Sequence, residues 1–157
     1  MTDRRWWLKL LTLMRQQEEK MQELYRTYAQ LFPGHAAAWQ RLSATEMEHA
    51  DWVSILQTKL QEGSVHIDEG RLPLITAYES AQREVDREIA RAGDTELTPA
   101  QAFSTALRLE KSLLESELFS FFAGDSRPLQ ELLKYLKRGT EQHIKELEQF
   151  VETETAP

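Results

Sequence analysis

One stretch of the chain carries apolar residues at helical spacing, with two polar residues in the middle of the run. Glu46 and His49 are those two residues, and they interrupt the series Trp39, Leu42, Val53, Leu56 and Leu60. Residues three or four apart share one face of a helix, so both side chains are expected to point into the protein interior. An unpaired charge there is very costly, and a bound metal ion is the usual compensation.

The composition limits which metal sites this chain could build. Its 157 residues suit one domain that buries roughly 70% of its unfolded surface. Because the sequence contains no cysteine, disulfides, iron–sulfur clusters, thiolate zinc sites and thiol catalysis are excluded. Any metal must therefore be held by carboxylate and imidazole groups, which narrows the choice to iron, manganese or zinc.

Charge and hydropathy indicate a cytoplasmic protein without nucleic-acid partners. The net charge of −7 argues against phosphate binding, which needs clustered Lys and Arg. No run approaches the ~20 apolar residues of a membrane span. Arg4, Arg5 and the segment 6–8 resemble a secretory leader, but Lys9 interrupts the apolar run and no cleavage site follows. The tryptophans of this segment are interpreted as a helix-packing or dimer contact, and a homodimer is expected.

Glycine and proline divide the chain into five predicted helices with almost no strand signal, which predicts an all-α fold. The expected helices cover about 3–32, 36–61, 73–92, 99–123 and a last one from the turn at 124–128 to about 152. The last-but-one begins with a start signal in which Thr98 is the N-cap, Pro99 the first helical residue and Gln101 the partner that completes a capping box.

The two halves of the chain repeat each other. The series Trp39, Leu42, Glu46, His49, Val53, Leu56 matches Leu133, Leu136, Thr140, His143, Leu147, Phe150 at a constant offset. Glu18 in the first helix likewise matches Glu110 in the fourth. The predicted single domain is thus two helical hairpins, at about 3–62 and 98–153, joined by a helix-containing crossover at 63–97. Two antiparallel hairpins with one long crossover form a ferritin-like four-helix bundle.

In that topology a dinuclear site takes one Glu from each of two helices and a Glu-x-x-His pair from each of the other two. Here Glu18 and Glu110 supply the single carboxylates, with Glu19 an alternative to Glu18. Glu46 and His49 form one complete pair, and His143 is half of the other. Thr140 stands where the second pair should begin, which leaves three carboxylates and two histidines.

The chain resembles the rubrerythrin-like branch of the ferritin-like di-iron proteins. The resemblance rests on residues 18–25 with the Glu46–Ala50 motif, and on Leu109–Lys111 with His143–Ile144. It implies an iron centre of two ions or one that reacts with peroxide or oxygen. The rubredoxin module of rubrerythrins is missing, so redox turnover would need an external electron donor.

Three functions remain open at this point: a peroxide- or oxygen-reactive oxidoreductase, a metal-binding protein for storage or sensing, and a metal-free interaction bundle. Thr140 favours the last two. Each candidate ligand also has an interpretation without a metal: Glu46 and His49 could form a buried pair, Glu18 could be solvated, and His143 could lie on a polar face. No catalytic residue is assigned. His35 and His66 are expected in solvent-facing turns without a role.

Overall fold

The structure is a computed structural model that describes residues 4–67, 75–94, 96–112, 122–124 and 126–156. Over these residues the chain is almost entirely helical, which confirms the all-α prediction. The helices are α1 (Arg4–Leu31), α2 (Ala36–Glu62), α3 (Ile75–Asp94), α4 (Pro99–Ser112) and α5 (Arg127–Thr155). Two short strands, β1 (Val65–Ile67) and β2 (Phe122–Gly124), complete the described elements.

The helix ends follow local signals in the sequence. A 3-10 turn at Pro33–His35 joins α1 to α2, and α2 ends at Gly63, whose φ of 80° is the left-handed conformation typical of a helix C-terminus. At the start of α4 the predicted capping box is confirmed. The Thr98 N–H donates to Gln101 Oε1 at 2.9 Å, and the Gln101 N–H donates to Thr98 Oγ1 at 3.2 Å.

The strands were not predicted, and one of them corrects a helix boundary. The fourth helix was expected to reach about Ala123, but Phe122–Gly124 forms β2 and pairs antiparallel with β1, Val65 opposite Gly124. His66 accordingly lies in a strand instead of a turn. Three-residue segments carry too little periodicity to be recognised alone, and their partners are remote in sequence. Residues 113–121 of the expected fourth helix, and Pro73 at the expected start of the third, lie outside the described residues.

Neighbouring helices run in opposite directions in two hairpins. In the first, Gln57 of α2 donates to Thr12 Oγ1 of α1 at 2.9 Å, and Ser43 donates to the Gln22 carbonyl at 3.3 Å. In the second, the rings of Phe103 and Phe150 stack with centroids 4.8 Å apart between α4 and α5. In each hairpin, the apolar stripe of one helix therefore packs against the other helix.

Contacts between α2 and α5 join the two hairpins. Where α2 and α5 meet, which we call the α2–α5 seam, Arg41 pairs with Glu146 near one end and the Tyr135 hydroxyl donates to Glu48 at 2.7 Å further along.

The helix α3 lies beside α1 and runs parallel to it. Gln82 of α3 donates to the Leu13 carbonyl of α1 at 2.9 Å, and Asp86, further along α3, pairs with Lys20, further along α1. None of the described helices is long and apolar enough to cross a membrane.

Two apolar clusters fill the interior and leave a polar layer between them. The first packs around the N-terminal part of α1 and contains Trp7, Leu10, Leu11, Met14, Val53, Leu56, Leu60, Val65, Tyr78, Leu129, Leu133 and Leu136. The second packs around the C-terminal part of α1 and includes Met21, Leu24, Tyr25, Tyr28, Trp39, Leu42, Phe103, Leu109 and Leu147. Because both clusters exclude water, polar groups between them lie in a weakly screening environment.

Candidate metal centre

Five side chains predicted from the sequence meet in the polar layer between the two clusters. They are Glu18, Glu46, His49, Glu110 and His143, and each of these residues is at most 3% exposed. On α1, the buried residues Met14 and Met21 lie one turn before and one turn after Glu18 on the same helix face, and a face that is buried at both ends carries its middle residue inward. On α1 this selects Glu18, because Glu19 is exposed and pairs with Arg15 at the surface.

Glu46 is the centre of the group and touches both histidines. Its Oε2 lies 3.5 Å from His49 Nδ1, and its Oε1 lies 3.0 Å from His143 Nδ1. The two imidazole rings approach each other, with centroids 5.2 Å apart. One carboxylate from α2 thus links an imidazole of its own helix to an imidazole of α5.

The remaining two carboxylates flank this bridge, one on each side. Glu18 Oε2 lies 3.8 Å from His49 Nδ1, and Glu110 Oε1 lies 3.5 Å from His143 Nδ1. The arrangement has approximate two-fold symmetry, with one outer carboxylate and one histidine on either side of Glu46. The repeat seen in the sequence therefore corresponds to two similar halves of one cluster.

Tyr25 supports the outer carboxylate of α4. Its hydroxyl donates to Glu110 Oε1 at 2.6 Å, a short bond typical of a charged acceptor. Burial and the neighbouring carboxylates, Glu110 foremost, raise the pKa of Tyr25 well above its ordinary value. The hydroxyl consequently stays protonated and acts as a donor that orients Glu110.

The two histidines differ in their affinity for protons. Burial, followed by repulsion from His143, lowers the pKa of His49 to about 4, so its imidazole is neutral at neutral pH. Burial acts in the same direction on His143, but contact with Glu110 outweighs it and the pKa of His143 is raised. Burial also opposes ionisation of Glu110, yet its contacts with His143 and other neighbours keep the pKa of Glu110 below the usual range.

The donor set fits a metal cation. Two ligands on one ion with bonds of ~2 Å are about 3 Å apart, and Glu46 and His143 already have this separation. Ligand atoms of Glu46, His49 and His143 all lie within 4.8 Å of one another. Three carboxyl groups share this weakly screening layer with two imidazoles, and a bound cation would favour the ionised form of the carboxyl groups. Both ring nitrogens of His143 are buried without a well-formed hydrogen bond to a described residue.

Thr140 leaves the second half of the cluster incomplete. It is buried at the position equivalent to Glu46, and its hydroxyl donates to the Leu136 carbonyl of its own helix at 3.4 Å. A hydroxyl engaged in this way supplies no charge to a cation. The α5 side of the cluster therefore contributes a histidine without its own carboxylate.

Two residues adjacent to the predicted ligands had been given no role from the sequence, although Gln17 had been placed on the buried stripe of α1 as an alternative to Glu18. Gln17 is fully buried one residue before Glu18, and its amide has no hydrogen-bond partner among the described residues. Its position on the apolar stripe of α1 was the available signal. Gly139 packs directly against the ring of His49, and a glycine in the interior of a helix was the signal there.

His35 also differs from expectation. It was expected to face solvent, but it is half-buried, its Nε2 lies 2.6 Å from Glu154 Oε1, and its ring meets Phe103 edge-on. This contact ties the α1–α2 turn to the end of α5 and is far from the polar layer. The side chain of His66 lies outside the described residues.

Comparison with known proteins adds no relative to this picture. No protein-family model, curated protein or solved structure matches the chain.

Proposed function

We propose that this protein is a ferritin-like, rubrerythrin-like metal protein in which Glu18, Glu46, His49, Glu110 and His143 hold one or two metal ions. Iron is the preferred metal, and manganese or zinc are the alternatives that the same ligands accept. The single observation that carries the proposal is the Glu46 carboxylate, which lies within 3.5 Å of Nδ1 of both histidines in a buried layer.

The arrangement of helices supports the ferritin-like part of the proposal. The α1–α2 and α4–α5 hairpins are antiparallel pairs, and the connection between them is long and contains α3. In ferritin-like bundles, di-iron ligands come from one single Glu on each of two helices and paired Glu and His on the other two. The five residues of this cluster have that distribution, with Thr140 as the one departure.

Bound iron would supply reactivity toward peroxide or oxygen, which is the activity we propose for the occupied centre. The chain itself contributes a dry environment, oriented carboxylates and a neutral His49 ready to act as a ligand. The Tyr25 hydroxyl holds Glu110 in place and keeps its own proton. Reducing equivalents would come from an external donor, because the chain has no cysteine to hold an iron–sulfur or rubredoxin centre.

Thr140 favours a second candidate, metal binding without turnover. Because its hydroxyl bonds back to the Leu136 carbonyl, the His143 side lacks a carboxylate of its own. A cation there would be less well neutralised than one near His49. A protein that fills one position tightly and the other weakly would suit storage or sensing of a metal.

Metal content and metal-dependent stability test the proposal together. Protein purified without chelators is analysed for bound metal, and melting is then compared with and without chelator. A metal that binds the folded chain only should add roughly 3 kcal/mol at a hundredfold excess over its dissociation constant. Stopped-flow mixing of the Fe²⁺-loaded protein with peroxide then separates the two candidates.

Each result has one meaning. Bound metal with fast oxidation of Fe²⁺ by peroxide supports the oxidoreductase, and bound metal without it supports storage or sensing. A metal-free protein whose melting curves superimpose, with helicity intact, refutes both and leaves an interaction role for the bundle. Variant Glu46→Gln is the control, since loss of the bridging carboxylate should abolish any metal effect that arises from this cluster.

A further inference from the structure

Gly139 occupies a position in the middle of α5 where glycine is unfavourable. Glycine in a helix interior is destabilising relative to alanine, because it loses more backbone freedom on folding. The surrounding segment of α5 consists mostly of good helix formers such as Leu136, Lys137 and Arg138. A specific packing requirement is therefore the expected reason for glycine at this position.

The requirement is the ring of His49 on the facing helix α2. A Cβ placed on Gly139 would lie 2.6 Å from His49 Nε2, 3.2 Å from Cε1 and 3.7 Å from Cδ2. Real Cβ atoms essentially never come as close as the first of these distances. The Nε2 edge of the imidazole thus rests on the bare backbone of α5, while its Nδ1 edge faces Glu18 and Glu46.

We infer that Gly139 is a positioning residue for the metal centre: the space left by its missing side chain admits His49 and sets its Nδ1 toward the carboxylates. The expected effect on metal affinity rests on the proposed function. The clearance itself concerns only α2 and α5 and is independent of any metal.

The geometry fixes what a side chain at position 139 would do. To restore an ordinary contact, the imidazole or α5 must shift by several tenths of an ångström. Metal–ligand distances are held to about ±0.2 Å, so such a shift would pull Nδ1 out of bonding range. A single methyl group outside the ligand set would then weaken metal binding without removing any ligand.

The test uses Gly139→Ala with two references. Gly93→Ala is the matched control, because Gly93 lies in the last turn of α3 and a Cβ there meets nothing within 4 Å. His49→Ala is the second background, in which the ring that causes the clash is gone. The measurements are the melting temperature of each metal-free protein and the affinity for Co²⁺, whose visible spectrum reports the ligand geometry.

We expect Gly139→Ala to lower the melting temperature and to weaken Co²⁺ binding at least tenfold, while Gly93→Ala changes neither adversely. In the His49→Ala background, Gly139→Ala should instead raise the melting temperature, because only the helix preference for alanine remains. If Gly139→Ala alone cannot be obtained folded, recovery of folding when His49→Ala is added would equally show that the His49 ring is what excludes a side chain at position 139.

Two outcomes overturn the inference. One is wild-type Co²⁺ affinity and spectrum in Gly139→Ala. The other is a change in melting temperature at position 139 that is the same with and without His49. Absence of Co²⁺ binding by the wild-type protein would instead refute the proposed metal function, and the metal-free melting comparison would still decide whether Gly139 positions His49.

Discussion

The imidazole rings of His49 and His143 face each other across the α2–α5 seam, with centroids 5.2 Å apart and planes inclined by 37°. Both present Nδ1 to the carboxylate of Glu46, His49 to its Oε2 and His143 to its Oε1. Histidines of two helices that share one carboxylate form a compact donor set, and its properties can be tested residue by residue.

Glu18→Gln and Glu19→Gln form a matched pair on adjacent positions of α1. Glu18 is buried beside His49, whereas Glu19 is exposed and pairs with Arg15. We expect Glu18→Gln to weaken metal binding and to stabilise the metal-free protein by on the order of 1 kcal/mol, because repulsion among buried carboxylates is reduced. Glu19→Gln should change both by less than about 0.5 kcal/mol. Urea unfolding and metal titration measure the two effects, and equal metal affinity in both variants would show that Glu18 is not a ligand.

Thr140→Glu should raise the bound metal toward two equivalents. The new carboxylate would occupy the position equivalent to Glu46 and neutralise a cation near His143. In the wild type we expect unequal occupancy, with the position near Glu46 and His49 filled first. Elemental analysis of both proteins is the measurement, and Thr140→Gln, which has the size without the charge, is the control. Identical stoichiometry in all three would show that residue 140 does not limit the site.

Acid should destabilise the metal-free protein through His49. The folded pKa of about 4 lies below the ordinary value of 6.5, so the unfolded chain binds the proton more tightly. Its contribution to stability is complete above 6.5 and is lost as pH falls from 6.5 toward 4, by up to about 3 kcal/mol. His49→Gln should remove this part of the pH dependence. Urea unfolding of both proteins across that range decides the matter, and parallel pH profiles would contradict the assignment.

The raised pKa of His143 changes stability with pH in the opposite direction, because the folded state favours the protonated form of this histidine. Its contribution is present below 6.5 and is lost as pH rises through the folded value. This is why the comparison with His49→Gln is needed, since the wild-type profile alone contains both effects.

Tyr25→Phe removes the hydroxyl that donates to Glu110. Loss of a buried hydrogen bond to a charged acceptor should destabilise the protein by about 1–3 kcal/mol. Metal affinity should fall 10- to 100-fold, as is usual when a group that orients a ligand is deleted. Tyr135→Phe is the control, because that tyrosine also donates to a glutamate, Glu48, but at the surface. Equal small effects in both variants would mean that Tyr25 does not orient the ligand.

The sequence by itself determined that the chain is mostly helical and that Glu46, His49 and His143 lie on buried helix faces. The series from Trp39 to Leu60, whose members are three or four residues apart, defines one face of a helix. The capping box at Thr98 and Gln101 defines a helix start. Both are local properties, which depend only on residues within one or two turns. The positions of Glu46, His49 and His143 on apolar stripes were therefore sufficient to predict their burial.

Only the tertiary structure decided how those residues meet. The choice between Glu18 and Glu19 depends on how α1 is rotated against its neighbours, and adjacent residues differ by about 100° around a helix. The same holds for the contact of Glu46 with His143 and for the contact of Gly139 with His49, which join residues of different hairpins, far apart in the sequence. Pairing of β1 with β2 is likewise a contact between remote segments. Such contacts result from packing of the whole chain, because no local pattern specifies which surfaces of two helices face each other.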